Sequence, residues 1–219
     1  MCNLYSMTSS QRAIRDLTRA MRDTTGNLPL LPAIYPDSMA PVVRQAADGE
    51  RELTMMRWGM PGPEQSGGAL VTNIRNTRSP HWRRWLAPAH RCLVPVTAFC
   101  EWADTRPRKT PVWFALAEER PLFAFAGIWT TWTRVRGTKA NPVEDEHALY
   151  SFLTCDPNGV VGPIHPKAMP VLLTTPDEMD TWMEAPLEIA RELQRPLPDS
   201  AMLIVSKGNR QDPPADRSG

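Results

Sequence analysis

The chain has 219 residues, 23 of them proline, with 42% hydrophobic and 22% charged residues and a formal net charge of +1. This is globular composition with enough length for a self-sufficient core, and it excludes a disordered or collagen-like chain, a long-helix bundle and a histone-like polybasic protein. The apolar run at 123–129 (FAFAGIW) falls far short of the about eighteen residues of a membrane span, and the first twenty residues lack the basic-then-apolar order of a signal peptide, so a cytoplasmic protein with no membrane partner is expected.

In chain order, residues 8–22 read as a helix. Ile14, Leu17 and Met21 fall on one face, Thr8 and Gln11 have capping-box spacing, and Gly26 is a stop. Residues 27–41, with Pro29, Pro32, Pro36 and Pro41, read as an irregular loop. Strands are expected near 52–60, 68–73, 91–103, 111–117, 121–132, 147–155, 168–174 and 201–206, with 111–117 and 121–132 forming a hairpin across 118–120. The stretch 76–89 reads as a short helix with Trp82 and Trp85 at helical spacing. Thr175-Pro-Asp-Glu178 is a helix start, followed by helices to about 184 and over about 186–194. The expected architecture is a single α+β domain over 1–206, with a mostly antiparallel, barrel-like sheet and peripheral helices. A flexible tail over 207–219 follows.

Four cysteines are present: Cys2, Cys92, Cys100 and Cys155. None forms a CxxC pair and no Cys/His spacing reads as a zinc site, so neither metal nor cofactor is expected. Cys92, Cys100 and Cys155 read as small core residues. Cys2 differs because loss of Met1 would leave a thiol and an α-amine on adjacent carbons, with ordinary pKa values of about 8.5 and about 7.7–8.0. Such a 1,2-aminothiol condenses with an aldehyde to an imine, and the thiol then closes a thiazolidine ring.

Glu101 lies near the end of the apolar run 91–103, either at an exposed strand end or buried, where its pKa would rise toward the range suited to proton transfer. His165 is bracketed by Pro163 and Pro166, which stiffen a loop able to hold an acid/base. His81, His90 and His147 lack such a setting. Residues 72–110 carry eight basic side chains (Arg75, Arg78, Arg83, Arg84, Arg91, Arg106, Arg108, Lys109) against Glu101 and Asp104, a local net charge of +6, interleaved with Trp82, Trp85 and Trp102. Arginines beside aromatics suit a groove that holds phosphates and stacks unpaired bases. A solvated basic face over core tryptophans is the alternative.

Taken in order, Met-Cys at the start, Arg57-Trp58-Gly59-Met60, Asn73-Ile-Arg75-Asn76, Phe99-Cys-Glu101-Trp102 and His165-Pro-Lys-Ala-Met169-Pro170 resemble the motifs of the SRAP (SOS-response-associated peptidase) family of abasic-site shielding proteins. The resemblance implies binding of single-stranded DNA and covalent crosslinking of abasic sites through Cys2, in a DNA-damage (SOS) response at the nucleoid or replication fork. It also implies self-processing release of Met1, a hydrolase or protease activity beside a lyase-like one, and a monomer.

For the matching residues the resemblance implies Cys2 as nucleophile, with Glu101 and His165 moving protons and Asn73 orienting Cys2 and the sugar. Arg75 would hold a phosphate and Trp58 and Trp102 would stack or wedge bases, with core packing as their alternative. Arg78, Arg83, Arg84 and Lys167 would line the DNA. Two departures stand out: Lys167 replaces the usual Arg, keeping the charge but not the bidentate grip, and Ala168 is inserted. An N-terminal-nucleophile hydrolase acting on peptides and a non-catalytic single-strand binding module are the competing readings.

Overall fold

The computed structural model describes residues 2–64, 69–138 and 141–214, with backbone alone between 134 and 145. β1 (Tyr5–Met7) leads into α1 (Gln11–Thr18), shorter than the expected 8–22. Ser10 rather than Thr8 caps it, accepting from the Ala13 amide at 3.2 Å, and Arg19 ends it in the left-handed region at φ 56°. The Thr8 hydroxyl instead meets that of Thr97 at 3.1 Å, and the Gln11 amide donates to Thr25 and the Gly26 carbonyl.

β2 (Arg22–Asp23), β3 (Leu31–Ile34) and β4 (Met39–Gln45) follow, so the proline-rich 27–41 is not wholly irregular. β3 is the end strand of its sheet, where Pro32 breaks no central ladder. Pro41 lies beyond the pairing of β4 with its later neighbour, which begins at Val43. Next come β5 (Arg51–Trp58), β6 (Met60–Pro61), β7 (Leu70–Val71), β8 (Asn73–Ile74) and α2 (Pro80–Arg83), the latter covering only the middle of the expected 76–89 helix.

The expected strand 91–103 is two strands, β9 (Arg91–Val96) and β10 (Ala98–Ala103), in different sheets. The break falls at Thr97, whose amide donates to the Ser6 carbonyl of β1. β11 (Thr110–Ala115) and β12 (Phe123–Thr138) do not pair with each other, contrary to the hairpin reading: β11 pairs with β10, and β12 with β9. Alternation identifies a strand but not its partner, and the 116–122 link crosses from one sheet to the other. β13 (Asn141–Cys155), β14 (Met169–Pro170), β15 (Leu172–Leu173), α3 (Pro176–Glu184), α4 (Leu187–Ala190) and β16 (Leu203–Lys207) complete the chain. Thr175 caps α3 as its sequence predicts, accepting from the Glu178 amide at 3.2 Å. The second helix expected over 186–194 is α4 followed by a 3₁₀ turn at Arg191–Leu193.

Antiparallel pairs link β13 to β12, β12 to β9, β9 to β4 and β4 to β5. Parallel pairing of Leu149 with Arg57 and of Tyr150 with Trp58 then joins β13 back to β5 and closes a five-stranded barrel. A second sheet, in the order β16-β11-β10-β1-β3, flanks it, and the helices are peripheral. The α+β, mostly antiparallel barrel-like architecture with peripheral helices is thus the one observed. No helix among the described residues is long and apolar enough to cross a membrane.

The core fills the barrel with Tyr5, Trp58, Phe125, Tyr150 and Phe152, packed edge-on or stacked. Gly127 of β12 pairs with Cys92 of β9 and Phe152 of β13, and a Cβ there would approach the Cys92 sulfur to 2.7 Å and the Ser151 carbonyl to 3.2 Å. Gly127→Ala is therefore expected to cost about 1–3 kcal/mol by overpacking. Urea unfolding checks this, and an unmoved midpoint would show that the sheet yields freely here.

Two charged residues fold inward against expectation. Arg91 leaves the basic face: it is fully buried and donates to the carbonyls of Leu86, Trp182 and Ala185. Burial lowers its pKa to about 10. The second lies in the segment after β16. Asp212 is buried, its carboxylate meeting Arg120 Nε and Ser6 Oγ, each at 2.8 Å; residues 215–219 lie outside the described residues.

Candidate active site

Four residues far apart in sequence converge where β1 enters the fold: Cys2 just before it, Asn73 on β8, Glu101 on β10 and His165 after β13. Each is delivered by a different local device. Cys2 is buried, 1% exposed, and its thiol donates to the Leu4 carbonyl at 3.4 Å, a carbonyl that also accepts from the Cys100 amide at 2.9 Å. β10 thereby anchors the entry segment.

Asn73 pairs in register with Phe152 of β13, and its side-chain amide donates to the Cys2 carbonyl at 2.8 Å and to the Thr72 hydroxyl at 2.9 Å. Its side-chain oxygen Oδ1 is buried with no hydrogen-bond partner among the described residues. Trp58 holds this segment from beneath, its indole donating to the Thr72 carbonyl at 3.0 Å.

Alternation along β10 puts Phe99 in the main core with Cys2, while Ala98 and Cys100 face a second cluster with Leu4 and Trp113. Glu101 shares the Phe99 side and is 1% exposed, so the buried alternative for this carboxyl is the one realised. Burial pushes its pKa from 4.5 up to about 7. The Cys2 thiol is pushed well up, first by burial and then by the negative charge of Glu101, so at rest it keeps its proton.

His165 Nδ1 stands 3.8 Å from Glu101 Oε2. Its turn is tied down by Asn158, whose side chain accepts from the Val160 and Val161 amides and donates to the Leu197 carbonyl, and the His165 amide donates to the Val161 carbonyl. The His165 pKa is lowered, chiefly by partial burial and further by nearby positive charges that include Lys167 and Lys109. The imidazole is therefore neutral near pH 7, able to accept a proton.

The residues expected along DNA are scattered. Arg75, Arg78, Arg83, Arg84 and Lys167 are exposed. Arg75 is ion-paired with Asp156, and Arg84 lies over the Trp85 ring at 4.0 Å. Arg75 and Arg78 line one cleft together with Asn76, Asp156 and Gln194. Trp58 lies wholly inside the core and leaves no face for a base, and Trp102 packs half-buried against the cluster of Leu4 and Trp113. Trp82 and Trp85 are also buried, so their rings give the basic stretch no open stacking surface.

Lys109, Thr72, Leu4 and Asn158 join the site without having been singled out in the sequence. Of these only Lys109 left a trace, as one cation of a basic stretch. Cys92, Cys100 and Cys155 are all buried. His81 and His90 each contact a main-chain carbonyl, of Pro61 and Trp129. No group of three or more His, Cys, Asp or Glu among the described residues is placed to hold a metal ion.

The family model described as SOS response associated peptidase (SRAP) matches residues 1–207. The abasic site processing protein YoqW of Bacillus subtilis (strain 168) is 33% identical over 140 residues, 60% of this chain and 57% of that protein. YobE of the same organism, also called an abasic site processing protein, is 29% identical over 140 residues, 60% of this chain and 58% of its own length. The matches thus span less than two thirds of these relatives. Among solved structures, a protein from Bordetella bronchiseptica superimposes with a TM-score of 0.72 at 22% identity, over 93% of this chain and 98% of that one. A protein from Bacteroides thetaiotaomicron does so with a TM-score of 0.70 at 21% identity, over 94% and 90%. At that identity the superpositions establish the fold alone.

Proposed function

The chain belongs to the SOS response associated peptidase (SRAP) family, and from that premise we propose that it captures abasic sites in single-stranded DNA as a covalent adduct on Cys2. The observation that carries this reading is the convergence on Cys2 of Asn73, Glu101 and His165 from three other parts of the chain. The relatives' description as abasic site processing proteins agrees with it.

In the proposed reaction Met1 is first removed, by the chain itself or by an aminopeptidase, leaving the α-amine of Cys2 free. That nitrogen adds to the C1′ aldehyde carbon of the ring-opened deoxyribose, and the carbinolamine loses one water to give an imine. The Cys2 sulfur then adds to the same carbon, the thiol proton passes to the nitrogen, and a thiazolidine closes. One water is lost overall and nothing is oxidised or reduced.

Each neighbour has a task within this proposal. Glu101, with a pKa of about 7, is poised to take the proton from the attacking amine and return it to the departing oxygen. His165, neutral and beside Glu101, exchanges a proton with the sugar oxygen as the ring opens. Asn73 holds the Cys2 carbonyl through its amide, and its Oδ1, which has no partner among the described residues, is an acceptor for the Cys2 amine or a sugar hydroxyl. Arg75, Arg78 and Lys167 supply exposed positive charge for the phosphates.

Intact mass spectrometry tests the proposal, before and after incubation with a single-stranded oligonucleotide bearing one abasic site. The expected spectra show the chain without Met1, then a species equal to protein plus oligonucleotide less one water, absent with an unmodified strand. An unshifted protein on the abasic strand would overturn it. Turnover of a peptide without an adduct would favour the hydrolase, and equal non-covalent retention of both strands would favour the binding module.

A further inference from the structure

We propose that Asp212 is a positioning residue: the segment after β16 folds back as a latch that fixes β1, and with it the Cys2 nucleophile, in register. The inference rests on the proposed role of Cys2 but concerns residues outside its surroundings. The segment is tied at intervals. The Gly208 amide donates to the Pro111 carbonyl, the Asn209 carbonyl accepts from the Trp113 indole at 2.8 Å, the Arg210 carbonyl accepts from the Tyr35 hydroxyl at 3.1 Å, and the Asp212 amide donates to the Pro32 carbonyl at 2.9 Å. At its end the Asp212 side chain, wholly buried, divides its two oxygens. Oδ1 accepts from Arg120 Nε and Oδ2 from Ser6 Oγ, both at 2.8 Å.

A buried carboxylate is costly unless paired and hydrogen-bonded, and both conditions are met here. Arg120 is itself held in the left-handed region at φ 54° and donates to the Glu118 carbonyl at 2.7 Å, so the anchor on this side is a fixed turn. Ser6 is the central residue of β1, four positions from Cys2. β1 is only three residues long, with two registered partners on β10 and a bulged pairing to β3. Ahead of it the Leu4 carbonyl is held by the Cys100 amide and the Cys2 carbonyl by Asn73, but the strand itself has a short ladder. The Ser6–Asp212 bond, with the Ser6 contact to Thr97 Oγ1 at 3.2 Å, adds a side-chain tie at its centre. The nucleophile must be held within about half an ångström of its productive place, so slack in β1 lowers the rate of capture while leaving phosphate contacts elsewhere intact.

The test uses the full chain with Ser6→Ala, Asp212→Ala and the double variant. Two quantities are read: the saturated rate of adduct formation against the concentration of abasic oligonucleotide at half saturation, and amide hydrogen exchange over residues 2–7 without DNA. Ser6→Ala removes the link to β1 but keeps the Arg120–Asp212 pair, so it answers even if Asp212→Ala fails to fold. Each single variant is expected to lower the saturated rate tenfold or more and to raise exchange over 2–7, with the half-saturating concentration within twofold of the parent. The double variant should be no slower than the worse single one, because both cut the same link. A rate within twofold of the parent in folded Ser6→Ala, multiplicative losses in the double variant, or loss of rate and DNA binding in parallel would each overturn the latch. If the parent protein forms no adduct, the functional reading fails, and unchanged exchange over 2–7 then rejects the latch by itself.

Discussion

Cys2→Ser is expected to eliminate the heat-stable DNA adduct while leaving an adduct that borohydride can trap. Serine keeps the α-amine, so imine formation with the abasic aldehyde proceeds. Its hydroxyl is a far weaker nucleophile than a thiol and closes the five-membered ring poorly, so the imine hydrolyses on denaturation. Cys2→Ala should behave in the same way, and acetylating the amine of the parent protein should abolish both adducts. Denaturing electrophoresis with and without borohydride reads all three. A stable adduct that survives Cys2→Ser would remove the sulfur from the mechanism. The position also asks little of its surroundings in the resting protein: the thiol is buried and protonated and donates to the Leu4 carbonyl, so Cys2→Ser preserves a donor there.

The second large effect belongs to Glu101, where rate and stability are expected to move in opposite directions. Glu101→Gln removes a proton acceptor and donor and should slow adduct formation by about 10²–10⁴-fold. In the parent protein the rate should rise as the carboxyl ionises through about pH 7 and rise further as the attacking amine loses its proton at about pH 8, and only the lower limb should vanish in the variant. The stability change follows from linkage. The folded protein holds the Glu101 proton up to about pH 7, whereas the unfolded chain releases it near 4.5, so stability falls as pH rises between these values and stays reduced above them. That gap corresponds to on the order of 3 kcal/mol. Glu101→Gln carries no such penalty and should be the more stable protein at pH 8, with the difference closing below pH 5. Urea titrations at the two pH values check this. Equal stability at pH 8 would mean that the folded protein solvates the charge better than the burial of Glu101 implies.

The members of the candidate site could be singled out in the sequence for a chemical reason. A cysteine after the initiator methionine, a carboxylate in an apolar strand and a histidine between prolines each place a reactive group in an improbable setting. The motifs lie far apart along the chain, and only their order tied them together. Their supports were not legible. Trp58 sits in a recognisable motif, yet whether an indole stacks on a base or donates to a buried carbonyl such as that of Thr72 depends on what covers it. Asn158 and Asp212 lie in polar, turn-like stretches that carry no periodic signal. Each becomes important only by meeting a backbone or side chain some 40 to 200 residues away.

The same division runs through the fold. Local chemistry was sufficient for the Thr175 cap of α3, the existence of most strands and the mostly antiparallel barrel class, because each follows from the residue pattern over a few neighbours. Pairing was decided in three dimensions. The run 91–103 splits at Thr97 and its halves enter different sheets; 111–117 and 121–132 go to different partners; Arg91 and Asp212 go inside. Alternation of apolar and polar residues specifies a strand and its faces but not the strand beside it, and a charged side chain is buried only where distant groups complete its hydrogen bonds.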